Sequence, residues 1–293
     1  MEQFSQILLQ TLSHDNQTRK LAEEQFESIP INEKAQFLSQ ILSNPEKFSF
    51  QADQDQNKFK SLITLALVHL RKIIDNPDSE FQDLLSEDEA IKINFKNQII
   101  EIVNKLAPES EKLNAQKKLG DLIAYSIENL CEDGDWPECF IMLVGLSGFH
   151  DLAELDTSSS ANPIITLPIT LNAFITNPDI LKPLGNSKIV EFLTRSFQLK
   201  HPQISNLTAK ATCSYLINTW TDYEDLEDDE QKEEYNQEIL AFSGIMGYLM
   251  ESMVKSVCEE DDDSVIQYMI DVVEEECLAP LLKDGFNDII TLS

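Results

Sequence analysis

The chain has 293 residues, 42% of them hydrophobic, and only 8 glycines, where average usage of about 7% would give roughly twenty. Its 52 Asp/Glu against 22 Lys/Arg leave a net charge of −30. This composition supplies a folded interior, argues against Gly-rich phosphate loops and turn-dense β architectures, and sets the chain against nucleic acid and anionic membranes, which repel a polyanion.

Along the chain, apolar residues recur at i, i+3, i+4 and i+7, the helical period. A first helix carries Phe4, Ile7, Leu8 and Thr11/Leu12. A second, 16–28, carries Ala22, Gln25, Phe26 and Ile29. The third starts after Asn32 with Phe37, Leu38, Ile41 and Leu42. The fourth, 58–75, has Phe59, Leu62, Ile63, Ala66, Leu70, Ile73 and Ile74. A fifth opens on a capping box, Ser86 followed by Glu89, and continues through Ile91, Phe95, Ile99, Ile102 and Leu106; a sixth has Leu119, Leu122, Ile123, Ile127 and Leu130. Asn44-Pro45, Asn76-Pro77, Asn162-Pro163 and Asn177-Pro178 are turn signals, and Pro137 fits the first turn of a further helix. Residues 164–171 tolerate a strand, but Pro168 disfavours a central one.

The helices pair. Second members are expected to begin near residues 16, 58, 109, 161, 202 and 263, spacings of about 40–60 against the roughly 40–47 of HEAT repeats. Polar inserts at 76–86, 152–161 and 221–234 account for the longer gaps. The expected fold is all-α: one HEAT-repeat solenoid over 1–293, a right-handed superhelix of about six helix pairs. Its two parts differ in charge: 1–130 carries 14 basic and 21 acidic residues, or −7, and 131–293 carries 8 and 31, or −23. The last repeat reads as incomplete. Residues 277–293 hold Leu278, Leu281, Leu282, Phe286, Ile289, Ile290 and Leu292 with no helix following, so a longer solenoid or another surface is expected to cover them.

Five cysteines (Cys131, Cys139, Cys213, Cys258 and Cys277), without C-x-x-C spacing, read as free thiols in a reducing compartment. Residues 1–10 lack the basic segment of a signal peptide, and no apolar run approaches the ~20 residues of a membrane span. His14, His69, His150 and His201 lie far apart, outside any metal motif, and there is no P-loop or G-x-S-x-G. No enzyme activity, cofactor or metal is expected.

Five segments carry a family resemblance. "NQTRKLAEEQFESIP" (16–30), "VHLRKII" (68–74), "WPE" (136–138), "NLTAKATCSYLI" (206–217) and "DDSVIQYMIDVVE" (262–274) resemble, in order and spacing, successive repeats of the importin-β (karyopherin-β) family of nuclear transport receptors, most of all its importin-5 (importin β-3) branch. The acidic stretch "DYEDLEDDEQKEE" (222–234) and the loop 157–161 depart from the family pattern. The resemblance covers about the first third of a full-length receptor. It implies shuttling between cytoplasm and nucleus through the nuclear pore. It implies Ran-GTP bound by the N-terminal repeats, and protein cargo, often a basic localisation signal, on the concave face. Phenylalanine-glycine nucleoporins would lie between outer helices. Ran-GTP would release import cargo by linkage.

On helix 58–75, the face opposite the core presents Ser61, Thr64, Leu65, Val68, Arg71 and Lys72. Leu65 and Val68 would be exposed unless a partner or a neighbouring helix covers them. The second helix presents Lys20, Glu23, Glu24 and Glu27; the third pair presents Lys117, Asp121, Tyr125 and Glu128. The candidate Ran-GTP contacts are therefore Lys20, Glu23, Glu27, Leu65, Val68, Arg71, Lys72, Lys117 and Asp121, although solvated helix faces have the same composition. For basic cargo the candidates are Asp225, Glu227, Asp228, Asp229, Asp261 and Asp262; a solvated loop, or capping of the next helix by Asp262, Asp263 and Ser264, explains the same residues. A static HEAT scaffold of the phosphatase-scaffold or assembly-factor kind is the rival reading. An export receptor of the same family, its cargo held by Ran-GTP, is the third.

Overall fold

The computed structural model describes residues 2–48, 53–76, 80–131, 136–153 and 162–224. Among them are eleven α-helices, short 3-10 segments and no strand: α1 (Glu2–Gln10), α2 (Asn16–Glu27), α3 (Ile31–Ser43), α4 (Asp53–Ile74), α5 (Glu80–Glu87), α6 (Glu89–Leu106), α7 (Gln116–Leu130), α8 (Pro137–Ser147), α9 (Pro163–Thr176), α10 (Asn186–Gln198) and α11 (Pro202–Glu224). The all-helical expectation holds.

Local chemistry sets the helix ends. Side chains of Asp15, Asp88 and Asn162 accept from the first free N–H groups of α2, α6 and α9, satisfying donors that the helix itself cannot. Pro137 and Pro163 occupy first-turn positions where a missing N–H costs nothing. Gly148 ends α8 at φ +78°, a conformation that disfavours a side chain, and a Cβ there would lie 2.7 Å from Pro163.

The helices pack in pairs: α1 on α2, α3 on α4, α6 on α7, α8 on α9 and α10 on α11. Between pairs, α3 packs on α6 and α6 on α8, while α4 packs on α7, α7 on α9 and α9 on α11. One row thus runs α4–α7–α9–α11, with α3–α6–α8 laid against it. α2 joins the first row where the Phe26 and His69 rings approach to 4.7 Å. The tightest joint is α7 on α9. A Cβ at Gly120 would stand 2.7 Å from Asn172 Cβ and 2.8 Å from the backbone of Ala173 and Ile169, so only glycine permits that approach. Hydroxyls fasten neighbours across and along the rows: Thr166 and Thr170 of α9 donate to the Leu146 and Leu143 carbonyls of α8 at 2.6 and 3.0 Å, and within the first row Ser214 of α11 donates to Ile175 O of α9 at 2.9 Å.

Several expectations need correction. The N-cap of α6 is Asp88 rather than Ser86, which lies inside α5 and donates to Gln82 O at 2.9 Å. The insert 76–86 contains most of α5, which buries Phe81 and Leu85 and closes the end of α4 through Gln82 Nε2 to Ile74 O at 2.7 Å. The helix expected near 109 starts at Gln116, after the 3-10 turn Ala107–Glu109. The strand-tolerant 164–171 lies within α9 with Pro168 inside it. Leu12 and Gln25, given to core faces, are exposed. The insert expected from 221 begins inside α11, which runs to Glu224. The repeat near 263 and the apolar stretch 277–293 lie outside the described residues.

Candidate functional site

A cleft of about 700 Å³ opens along α4, α7, α9 and α11. Arg71, in the last turn of α4, enters it from one end. Its guanidinium lies over the Tyr125 ring, 5.2 Å from the centroid. Arg71 Nη1 is 3.9 Å from Asp121 Oδ2, too far for a hydrogen bond, and the buried Nε has no hydrogen-bond partner. Asp121, one turn into α7, accepts from Thr176 Oγ1 at 3.3 Å. Burial raises its carboxyl above the ordinary range, against the pull of Lys117 and Arg71. The Arg71–Asp121 pair is therefore loose, its atoms beyond hydrogen-bond distance.

Amides form the rest of the polar lining. Gln116 Nε2 donates to Ile165 O at 2.7 Å, Gln203 Nε2 to Gln116 Oε1 at 3.1 Å, and Asn172 Nδ2 to Pro168 O at 2.6 Å. The first two bonds tie α7 to α9 and α11, the third lies within α9, and together they fix the orientation of the amides. Asn114, at φ +52°, turns the chain into α7 at the cleft edge, a conformation asparagine tolerates. Lys117 and Lys210 also line the cleft. Among the described lining residues, Arg71 and Lys117 thus face the one carboxylate of Asp121, in a chain of net charge −30.

The cleft brings together three of the nine sequence candidates for the N-terminal contact, Arg71, Lys117 and Asp121, with Tyr125 beside them. Glu27 and Lys72 meet elsewhere, around His69. Burial first, and then Lys72, hold that imidazole below its ordinary value, while Glu27 opposes them. Glu27 also pairs with Lys34 at 3.3 Å. Glu23 pairs with Arg19 at 3.8 Å and Lys20 with Glu24 at 4.0 Å, surface contacts of little energetic weight. Leu65 and Val68, expected to be exposed without a partner, are half-buried, and Leu65 packs against the core. The acidic candidates Asp225, Glu227, Asp228, Asp229, Asp261 and Asp262 lie outside the described residues. Four of the five resemblance segments lie within the described residues: one falls on α2, two on α4 and α11 of the first row, and one opens α8.

The amides are what sequence reasoning missed. They carry no charge and no periodic signal, and they sit on helices up to 87 residues apart. A second, apolar cleft of about 360 Å³ lies between the ends of α7 and α8 and the turn Pro178–Leu184, lined by Trp136, Phe140, Ile127, Ile180 and Pro183.

No protein-family model matches the chain. Among the described residues no group of three or more His, Cys, Asp or Glu could hold a metal ion, and no single helix is long and apolar enough to cross a membrane.

Proposed function

We propose that the helix pairs form a HEAT-type solenoid and that the chain is a nuclear transport receptor of the importin-β kind. In this reading α2, α4 and α7 bind Ran-GTP, with Arg71, Lys72 and Lys117 supplying cationic contacts. The acidic second half attracts basic cargo, and the apolar cleft at Trp136 and Phe140 takes phenylalanine-glycine segments. The carrying observation is the order of packing. Each pair rests on the next, and each helix of the first row packs on its successor, as a nearest-neighbour stack requires. Support also comes from the resemblance segments, two of which fall on that row, on α4 and α11. A HEAT scaffold without transport activity draws on the same packing.

The two readings part over the nucleotide. A pull-down of the full chain with Ran loaded with GTP or GDP, at 0.1 and 0.5 M salt, should capture the GTP form selectively. Equal capture of both forms, or of neither, by folded protein would favour the scaffold. Weakened binding of a basic cargo peptide on addition of Ran-GTP marks import; strengthened binding marks export.

A further inference from the structure

The cleft along α4, α7, α9 and α11 runs against the charge of the chain around it. We propose that it binds an extended peptide segment bearing carboxylates. This goes beyond the transport reading, which gives Arg71 and Lys117 to Ran-GTP; here the same residues take a second, competing ligand, and its binding is tested without Ran or cargo.

Three observations converge. Among the described lining residues, Arg71 and Lys117 stand against the single carboxylate of Asp121, giving a local positive field in a chain of net charge −30. Arg71 is held in place by Tyr125 but its Nη1 is 3.9 Å from Asp121, beyond hydrogen-bond distance. An incoming carboxylate would give the guanidinium the close paired contact that Asp121 does not. Thirdly, Gln203 and Asn172 are each tethered through the amide nitrogen. Their carbonyl oxygens are thereby fixed as acceptors for backbone N–H groups, with little ordering left to occur on binding.

Geometry selects the form of the ligand. The lining comes from four successive helices, so three steps of about 8–10 Å separate its ends. An extended chain covers that distance with about eight residues. A small carboxylic acid would reach Arg71 or the Gln203 amide but not both ends. A nucleic-acid strand fits less well. Its unbroken run of phosphates meets the net negative charge of the whole chain, and the face of Tyr125, where a base would stack, is covered by Arg71.

The test uses the full chain and three fluorescent probes of matched length, about ten units each: an alternating Glu-Ser peptide, an alternating Lys-Ser peptide and oligothymidine. Fluorescence anisotropy should show saturable binding of the acidic peptide, weaker at 0.5 M than at 0.1 M salt. Lys117→Glu, at an exposed position, should weaken it about tenfold, the scale of one charge-assisted hydrogen bond. Asp121→Asn, which removes the opposing charge, should strengthen it about threefold. Circular dichroism checks that both variants remain folded. No binding of the acidic peptide, an affinity unchanged in both variants, or tighter capture of oligothymidine that responds to the same substitutions would overturn the proposal.

Discussion

Helices α2 and α9 are of similar length, 12 and 14 residues, yet α2 buries two side chains, Ala22 and Phe26, and α9 buries eight. The difference follows from the number of neighbours. α9 is enclosed by α7, α8 and α11, whereas α2 leans on α1 and touches α4 through one ring contact. A helix enclosed on several sides must be apolar nearly all round, and α9, "PIITLPITLNAFIT", is. A helix at the end keeps a solvated face, and α2, "NQTRKLAEEQFE", has one. Stability should therefore be concentrated in the centre and lowest at the first pair.

Core truncation gives the largest contrast. Phe174→Ala empties a fully buried site on α9 and should cost about 4 kcal/mol of global stability. Phe26→Ala should cost less, about 2 kcal/mol, because the end pair can detach alone; urea unfolding measures both. Glycine provides the next contrast. Gly120→Ala forces α7 off α9 and should cost about 2 kcal/mol. Gly145→Ala, whose Cβ would meet nothing closer than 3.9 Å, should be neutral or stabilise by about 0.5 kcal/mol. Helix caps come third. Asn162→Ala should lower global stability by about 1 kcal/mol, while Asp15→Ala should speed hydrogen exchange in α2 and leave the main transition in place.

The smallest effect distinguishes the two regions by sign. His69, at the α2 end, has its pKa lowered from 6.5, chiefly by burial. Below pH 6.5 the unfolded chain takes up the proton more readily than the folded one, so this contribution to stability is lost as pH falls through the window down to the lowered value. Asp121, in the centre, has its pKa raised from 3.8, again chiefly by burial. There the folded chain holds the proton more readily, so its contribution is present at low pH and lost as pH rises from 3.8 through the raised value. Acidification should loosen the end and relieve the centre. Exchange rates in α2 measured from pH 7.5 to 5 should rise relative to the rest of the chain, and His69→Gln should flatten that trend.

The same contrast explains what was legible in the sequence. α2 shows a clean polar face, and its predicted range ends within one residue of the observed helix. α9 shows no polar face, so its period vanished and 164–171 read as strand-tolerant. α5 is short and follows an Asn-Pro turn signal, so it passed for a polar insert. Ser86 and Asp88 are both good caps, and only the presence of α5, which needs Ser86 inside it, decides between them. In the cleft, the charges Arg71, Lys117 and Asp121 were readable because they stand on faces opposite apolar stripes. The amides Gln116, Asn172 and Gln203 were not, because their meeting depends on helix packing that no local pattern encodes.

Hydrogen exchange of the full chain, alone and with Ran loaded with GTP or GDP, tests the central claim most directly. The account predicts that Ran-GTP slows exchange in α2, α4 and α7 while Ran-GDP leaves it unchanged. Equal exchange with both forms, or protection confined to α8–α11, would contradict it.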